Sequence, residues 1–345
     1  MLYHQTEQKQ LYRFLFIFLF SFSLMVGLVF IRVPYYVSSP GNAKDLSEMV
    51  KVEDGYQEEG SFMLTTVRMN KASISDYVVA KFDQYKHLYP IQTIKAQGES
   101  DREYTVRQGD MMEISKDAAT FVAYGKAGKK VELQNEYVMI GNVIPNTPAE
   151  KMLKREDRIR QVDGQRIDSA EELLDRLKDK QAGDQVTLLI ERDGKEKEVT
   201  LSLANIEGAH GRAIIGIRPF TVRKLVTDPE LLIKTDHIGG PSAGLMFSLE
   251  IYNQLTKEDY THGKKIAGTG TIDIDGNVGP IGGVDQKVIA AHEAGAEIFF
   301  APNENGAENS DYKRAVETAK NIKTNMKIVP VDTFDDALTY LNTLK

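Results

Sequence analysis

The longest apolar run in the chain lies close to its N-terminus. Residues Phe14–Ile31 form an uncharged run of 18 positions, near the lower limit for a helix that spans a membrane. Lys9 and Arg13 precede the run, and Tyr35 and Tyr36 follow it, where aromatic side chains favour a membrane interface. No small-x-small cleavage site follows, so the pattern favours an uncleaved single-pass anchor over the competing interpretation, a cleaved signal peptide. We expect the short N-terminus inside the cell and the long remainder outside it.

Periodicity beyond the apolar run predicts a mixture of strands and helices. Gly60–Val67 is rich in β-branched and aromatic residues, as strands are, whereas Asp110–Gly125 spaces its apolar residues as a helix does. Residues 71–100 show no clear period. From about residue 211 the two patterns alternate, which predicts an α/β fold. Its predicted strands are Ile214–Ile217, Lys265–Ile274, Glu297–Ala301 and Lys327–Val331. Its predicted helices are Ser242–Leu255, Asp285–Ala294, Ser310–Asn321 and Thr333–Leu344.

The order and spacing of the predicted elements change between residues 129 and 205, which indicates a separate middle domain. A helix is predicted at Ser169–Lys178, where Ser169 and Glu172 have the spacing of a capping box. Strands are predicted before and after this helix, at Tyr137–Ile140, Gln185–Glu191 and Glu196–Leu203. The fold class expected for the chain is therefore mixed α/β (α+β), with more than one domain.

Composition narrows the range of functions. The 345 residues are 41% hydrophobic and 27% charged, as in an ordinary globular protein, and the net charge is −7. An acidic chain without a basic face is not expected to bind nucleic acid. The absence of cysteine excludes disulfides, thiolate zinc sites and a cysteine nucleophile. No pattern predicts a metal site or a cofactor.

A glycine-rich turn places a serine at the start of a predicted helix. Gly239, Gly240 and Pro241 come directly before Ser242, and the apolar residues that follow put Ser242 on the inward face. Unpaired backbone N–H groups and the positive end of the helix dipole can stabilise an oxyanion there. This arrangement makes Ser242 a candidate nucleophile. Taken alone, the serine is better explained as an ordinary N-cap.

A second glycine-rich segment leads to a lysine in the first turn of another predicted helix. Lys287 shares a helical face with Ala290, Ala291 and Ala294, whose small side chains permit close packing. A poorly solvated lysine has a lowered pKa, and in its neutral form it can take a proton from a serine hydroxyl. Lys287 is therefore a candidate general base, although a lysine in one helix is more often simply solvated.

Together the two segments resemble the proteolytic domain of Lon-type (S16) proteases. The family's G-P-S-A-G motif is matched by Gly240–Gly244, and its G-G-x-x-x-K-x-x-A-A-x-x-A-G motif is matched by Gly282–Gly295. The resemblance implies that Ser242 is the nucleophile and Lys287 its base. It also implies that Thr269 hydrogen-bonds near the lysine and that the backbone around Gly240, Pro241, Ser242 and Ala243 forms the oxyanion site. Where many Lon proteases have an acidic residue before this motif, the chain has Gly239.

The middle domain resembles a bacterial PDZ domain. The matching residues are Thr147-Pro148-Ala149, then Asp157 and Ile159, then Val162-Asp163-Gly164 and the helix that follows. Such domains bind an extended peptide as an added strand. We expect the peptide beside Tyr137, Val138, Met139 and Ile140. Glu136 in the expected carboxylate loop, and the lack of glycine there, disfavour the binding of free C-termini.

With anchor, PDZ-like and Lon-like parts in one chain, the sequence is similar to the membrane-anchored, pheromone-processing Lon-like proteases of Gram-positive bacteria. No G-x-x-x-x-G-K-[ST] motif occurs, so the resemblance implies an ATP-independent serine endopeptidase acting on peptides or unfolded segments outside the membrane. Lon domains often form rings, which implies a homo-oligomer of unspecified number. Two alternatives remain open: a catalytically silent scaffold, and an adaptor or inhibitor of another protease.

The expected domain organisation follows from these resemblances. Residues 1–35 form the tail and anchor, 36–128 the N-terminal part of the protease region, 129–205 the PDZ-like domain, and 206–345 the part with the Ser–Lys pair. Gly60–Val67 and Asp110–Gly125 resemble early elements of the Lon fold. The PDZ-like domain is therefore expected to be inserted within the protease domain, or else to precede it.

Overall fold

The structure is a computed structural model that describes residues 2–96, 98–205, 213–235 and 238–344, without the side chains of residues 2–11 and 24–26. The helices are α1 Leu2–Phe30, α2 Ile74–Val79, α3 Ile91–Ile94, α4 Asp101–Lys126, α5 Ala170–Leu177, α6 Gly244–Leu255, α7 Val284–Glu293, α8 Asp311–Asn321 and α9 Phe334–Leu341. The strands are β1 Arg32–Asp45, β2 Val50–Val52, β3 Ser61–Ser73, β4 His87–Pro90, β5 Lys130–Val143, β6 Arg158–Val162, β7 Gln165–Arg166, β8 Gln185–Arg192, β9 Lys195–Ser202, β10 Ile217–Asp228, β11 Leu231–Ile233, β12 Lys265–Gly268, β13 Thr271–Ile272, β14 Val278–Gly279, β15 Ile298–Pro302 and β16 Lys327–Val331.

Helix α1 contains the apolar run. Its segment Tyr12–Phe30 has 19 residues and a mean hydropathy of 2.2, and none of that segment is buried within the protein. Among the described residues it is the one helix whose length and composition permit a membrane crossing. The side chain of Lys9, expected near the membrane, lies outside the described residues.

The chain divides into two compact units. The first unit combines Met1–Lys130 with Asp228–Lys345, and the second is Val131–Thr227. The second unit therefore interrupts the first in sequence. It extends past the expected boundary at residue 205 because β10 pairs with β5 and completes that unit's sheet. Within the first unit, the hydroxyl of Tyr124 donates to the carbonyl of Pro229 at 2.8 Å, so the points where the chain leaves and re-enters it lie close together.

The first unit is built on a six-stranded mixed sheet with the order β16-β15-β12-β3-β1-β4. Strands β16, β15, β12 and β3 are parallel, β1 pairs antiparallel with β3, and β4 pairs antiparallel with β1. Continuous apolar runs such as Ile298–Pro302 are buried, as expected for strands covered on both faces. Helices α6 and α7 lie against this sheet, and each begins beside the end of β12.

Three elements of the first unit differ from their predicted extents by more than three residues. Strand β3 continues to Ser73, six residues beyond the predicted end at Val67. Helix α4 begins nine residues before the predicted Asp110, because Ser100 and Glu103 form a capping box there. The predicted strand Lys265–Ile274 is interrupted after Gly268, and its second part pairs separately as β13 with β14. The unassigned region 71–100 contains α2, β4 and α3. The break after Gly268 matters because it opens the space beside the candidate site.

The second unit is a sheet with the order β10-β5-β6-β8-β9, with β7 on β6 and α5 covering one face. Alternating residues of the strands form its core, including Val186, Leu188 and Ile190, all 0% exposed. Helix α5 begins as predicted, with the Ser169 side chain accepting from the N–H of Glu172. The tight turn between β8 and β9 uses Asp193 and Gly194, both with positive φ.

Candidate active site

The segment before α6 is a tight loop held against α4. Gly240 has a φ of 89° and donates its N–H to the carbonyl of Gln108 at 2.9 Å. A side chain at Gly239 would lie 2.8 Å from the Gln108 side chain, so the loop can approach α4 this closely only with glycine. Ser115 of α4 donates its hydroxyl to the carbonyl of Pro241 at 2.9 Å. These contacts fix the backbone that carries Ser242.

Lys287 reaches Ser242 from the first turn of α7. Its Nζ lies 2.7 Å from Ser242 Oγ and 2.9 Å from Thr269 Oγ1. The lysine is 2% exposed and Thr269 is 0% exposed, whereas Ser242 is only half-buried. The two residues predicted as nucleophile and base, 45 positions apart in sequence, are therefore in direct contact. The serine keeps access to the adjoining cleft, while the amine is shielded from water.

Burial explains the chemistry available to the lysine. Desolvation lowers the pKa of Lys287 from 10.5 to about 7, because removing water disfavours the charged ammonium. The carboxylate of Asp311 opposes this effect and raises the pKa. Asp311 is itself buried and accepts a hydrogen bond from the N–H of Ile281 at 2.8 Å. Near neutral pH, a substantial fraction of Lys287 is therefore a neutral amine with a free lone pair.

Thr269 links the lysine to the serine backbone. Its hydroxyl accepts from Lys287 Nζ and donates to the carbonyl of Ser242 at 2.9 Å. The N–H of Gly270 donates to the same carbonyl, also at 2.9 Å. With one N–H of the neutral amine directed at Thr269, the lone pair is free to face Ser242 Oγ. Thr269 thus fixes both the orientation of the amine and the position of the serine.

The backbone at the start of α6 offers donors for an oxyanion. The N–H groups of Ser242 and Ala243 donate to no acceptor in the described part of the chain. They lie at the positive end of α6, for which Ala243 is the N-cap. Gly240 and Pro241, predicted as supporting residues, shape this turn through their contacts with α4. The site therefore combines a hydroxyl, a base and an anion-binding end of a helix.

A cleft of about 1220 Å³ opens onto Ser242 and Lys287. Strand β12 pairs with β3 only from Ser61 to Leu64, so beyond that point this edge of β3 has no strand partner among the described residues. The cleft is lined on one side by Thr65, Thr66, Val67 and Met69 of β3, and on the other by Tyr104, Gln108 and Met112 of α4. An extended chain has room beside β3.

The expected peptide-binding strand of the second unit is wrong. Tyr137, Val138, Met139 and Ile140 lie in β5, which is enclosed between β10 and β6 and has no free edge. Val138 and Ile140 are 0% exposed and belong to the core. Since the strand order cannot be read from local periodicity, an inner strand could not be distinguished from an edge strand in the sequence.

The sheet of the second unit has its edges at β10 and β9 instead, and a groove adjoins β10. A groove of about 920 Å³ lies between the start of β10 and helix α5. It is lined by Leu173 and Leu177 of α5 and by Ile215, Gly216 and Ile217. The Ile-Gly-Ile sequence at 215–217 was a usable signal, because a glycine between apolar residues at a strand start permits close backbone approach.

No histidine side chain that the structure describes is hydrogen-bonded to Ser242. His237, five residues before Ser242 in the sequence, lies outside the described residues. His87 contacts Asp285 at 2.5 Å, and this bond raises the pKa of His87, but neither residue contacts Ser242. Among the described residues there is no group of three or more His, Asp or Glu side chains able to hold a metal ion.

Comparison with known proteins agrees with this geometry. Residues 235–343 match the Lon protease (S16) C-terminal proteolytic domain, and residues 125–203 match the PDZ domain. Lon protease from Campylobacter concisus is 42% identical over 100 residues, which cover 29% of this chain and 11% of the relative. Lon protease from Metamycoplasma arthritidis is 31% identical over 153 residues, which cover 44% of this chain and 17% of the relative.

The matched regions are only a part of those relatives, since the chain spans less than a fifth of their length. A crystal structure of the PDZ domain of the SdrC-like protein from Listeria monocytogenes is 29% identical, covering 23% of this chain and 83% of that one with a TM-score of 0.22. The chain thus carries a PDZ domain and, around Ser242 and Lys287, a Lon-type (S16) serine peptidase domain.

Proposed function

We propose that the chain is a membrane-anchored, ATP-independent serine endopeptidase in which Ser242 and Lys287 form the catalytic dyad. The observation that carries this proposal is the 2.7 Å contact between Ser242 Oγ and the Nζ of a buried lysine. A lysine with a pKa of about 7 is matched to general-base work near neutral pH. Burial of a lysine costs folding free energy, and a role as general base accounts for its presence there.

The proposed reaction proceeds through an acyl-enzyme. Ser242 Oγ attacks the scissile carbonyl carbon while its proton passes to Nζ of Lys287. The N–H groups of Ser242 and Ala243 hold the resulting oxyanion. Collapse breaks the C–N bond, and the leaving amine takes the proton from Nζ. A water molecule then gives a proton to Nζ and attacks the ester, and that proton returns to Ser242 as the acid departs.

The proposed substrates are peptides or unfolded segments in extended form. The free edge of β3 beyond Leu64 supports this, since an extended substrate can pair with it and bring its carbonyl to Ser242. The groove between β10 and α5 supports a second peptide contact in the PDZ domain, by strand addition to β10. The backbone of a folded substrate is already hydrogen-bonded, so it could not pair with the edge of β3 or with that of β10.

The proposed location is the outer face of the cell membrane, with α1 as the anchor. The length and hydropathy of Tyr12–Phe30 support the anchor. Similarity to membrane-anchored Lon-like proteases supports exported peptides, including signalling peptides, as substrates. The chain has no P-loop motif, so the proposed cleavage uses no ATP hydrolysis by this chain.

The test is cleavage of a mixed peptide library by the full chain in detergent micelles, read by mass spectrometry. Ser242→Ala and Lys287→Met remove the nucleophile and the base, and each should lower cleavage by about 10³-fold or more. Ser248→Ala is the matched control. That serine is buried within α6, six residues after Ser242, but its hydroxyl donates only to the carbonyl of Leu245, so cleavage should persist.

The outcomes separate the proposed enzyme from the alternatives. Cleavage that survives in Ser242→Ala contradicts the dyad. Binding of library peptides without cleavage by the parent protein would favour a silent scaffold. Loss of cleavage in Ser248→Ala as well would show that the substitutions act through the fold and not through the chemistry.

A further inference from the structure

Helix α2 exposes an apolar surface that the first unit leaves uncovered. Phe82, in the turn that follows α2, is 88% exposed, and Val78 and Val79 within the helix are 50% and 45% exposed. Single exposed apolar residues are common, but three within five positions form a continuous patch. An exposed apolar patch of this kind on a folded unit is typical of an interaction site, and its position in the fold indicates what it contacts.

The patch is tied to the end of the candidate membrane helix. The N–H of Ile74, the first residue of α2, donates to the carbonyl of Ile31 at 3.1 Å, directly after α1 ends. Arg32 and Ser73 are partners in the β1–β3 ladder, which fixes the same connection a second time. These bonds hold α2 at the exit of α1 whatever the tilt of α1 itself.

The distances fit the interfacial layer of a bilayer. The six residues of α2 rise about 9 Å from Ile74, at 1.5 Å per residue. The polar layer on each side of the hydrocarbon core is roughly 5–8 Å deep, and interfacial helices bury their apolar face to a depth of about 5–10 Å. If α1 crosses the membrane up to Phe30, the patch lies within this layer.

The polar surroundings of the patch suit lipid headgroups. Lys81 lies over the ring of Tyr77 at 5.3 Å, and Tyr77 contacts Tyr35 edge-on at 5.2 Å, an aromatic pair of the type found at membrane interfaces. The acidic neighbours are engaged with the protein, since Asp76 caps α2 through Ser73 and Asp83 accepts from the N–H of Tyr85. Lys81 therefore remains available to lipid phosphates.

We propose that α2 and the turn after it form a second membrane contact, in which Val78, Val79 and Phe82 insert into the interfacial layer of the bilayer that α1 crosses. The inference rests on the proposed membrane anchor. Burial of valine and phenylalanine side chains in an apolar environment is favourable, so insertion of these three side chains would hold the first unit against the surface. The contact would orient that unit, and with it the cleft, relative to the membrane.

The absence of tryptophan from the chain makes the test direct. Single-tryptophan variants of the full chain are reconstituted in phosphatidylcholine–phosphatidylglycerol vesicles, with lipids brominated either near the headgroup or deep in the acyl chain. Phe82→Trp and Val78→Trp report the patch, and Phe18→Trp reports α1. Ile274→Trp is the matched control, since Ile274 is 70% exposed and has no bond to α1.

The expected result is a blue-shifted emission for Phe82→Trp and Val78→Trp that is quenched most by the shallow bromine. Phe18→Trp should be quenched most by the deep bromine, and Ile274→Trp should be unquenched. Patch variants that stay unquenched while Phe18→Trp is quenched would overturn the second contact and leave the anchor intact. Emission that is blue-shifted but unquenched would assign the patch to a second copy of the chain, which also overturns the proposal. An unquenched Phe18→Trp would overturn the anchor itself.

Discussion

The protonation state of Lys287 links the structure to the proposed activity. Its pKa of about 7 results from desolvation, with Asp311 opposing, and no other charged group has a comparable effect on it. The same burial has a cost, because the unfolded chain binds a proton to this amine up to pH about 10.5 and the folded one only up to about 7. The fold thus gives up stability below that pH in order to keep a neutral base, a common feature of catalytic residues.

Activity should rise with pH through the pKa of Lys287. Below about 7 the ammonium cannot accept the Ser242 proton, and above it the amine can, so kcat/KM should be half-maximal near pH 7. Asp311→Asn removes the charge that raises this pKa and should shift the midpoint to lower pH. The measurement is kcat/KM for a peptide substrate at pH values on both sides of 7. An unchanged midpoint in Asp311→Asn would contradict the electrostatic account.

At the scale of elements, three consecutive residues in the first turn of α7 each bond to residues outside that helix. Asp285 contacts His87 of β4, and Lys287 contacts Ser242 and Thr269. Between them, Gln286 is 0% exposed, accepts from the hydroxyl of Ser38 at 2.5 Å and donates to the carbonyl of Tyr85 at 2.8 Å. These bonds set the register of α7, and with it the reach of the lysine.

Gln286→Leu should therefore lower kcat and leave KM nearly unchanged. The side chain does not line the cleft, but without its two bonds α7 can shift, and a displacement of about 1 Å can cost roughly 10²-fold in rate. Ser38→Ala removes one of the two bonds and should have a smaller effect. Steady-state kinetics on a peptide substrate measure both parameters. A rise in KM with kcat unchanged would show that Gln286 acts on substrate binding instead.

Helix α6 carries a buried acid that makes stability depend on pH. Glu250 is 0% exposed, and burial raises its pKa to about 7 and that of the neighbouring Glu58 to about 9. The folded protein therefore keeps protons that the unfolded chain releases above about 4.5, so stability falls as the pH rises from about 4.5 and the fall is complete once the pH has passed about 7 for Glu250 and about 9 for Glu58.

Glu250→Gln should remove this loss, because the amide keeps the shape of the protonated acid and cannot ionise. Its melting temperature should match that of the parent below pH about 4.5, exceed it increasingly as the pH rises to about 7, and keep that advantage above pH 7. Thermal melts of both proteins across this pH range measure the difference. Lys287 makes stability rise with pH, but both proteins contain it, so its contribution cancels from the difference. A constant difference at all pH values would contradict the assignment.

At the scale of the whole molecule, one unit interrupts the other in sequence. All the residues of the candidate site come from the first unit, although they lie on both sides of the interruption. The bond between Tyr124 and Pro229 brings the two ends of the first unit together. Because the chain leaves the first unit and re-enters it at neighbouring points, the inserted second unit can be removed without distorting the first.

Replacing residues 131–227 with a short glycine–serine linker of about 4–6 residues should leave the first unit folded. Cleavage of short peptides should stay within a few-fold of the parent, while longer substrates that use the groove beside β10 should be cut more slowly. Circular dichroism and kcat/KM for short and long substrates provide the test. Equal effects on both substrate lengths would contradict a separate peptide contact in the PDZ domain.

Local chemistry determined much of this protein before any fold was considered. The uncharged run that ends at Ile31, the cap residues Ser169 and Thr333, and the glycine-rich motifs around Ser242 and Lys287 all depend on neighbours within a few positions. Short-range effects of this kind leave a pattern in sequence, so the nature of most elements could be predicted, whereas the pairing of Ser242 with Lys287 was expected from the resemblance of both motifs to Lon-type proteases.

Tertiary structure decided what depends on residues that are distant in sequence. The 2.7 Å contact across 45 positions, the influence of Asp311 on the lysine, and the free edge of β3 beyond Leu64 arise only when strands are ordered in space. The same cause made β5 an inner strand and β10 an edge, against the sequence-based expectation. Periodicity reports which face of a strand is buried, but the hydrogen-bonding neighbours of that strand are set by the path of the whole chain.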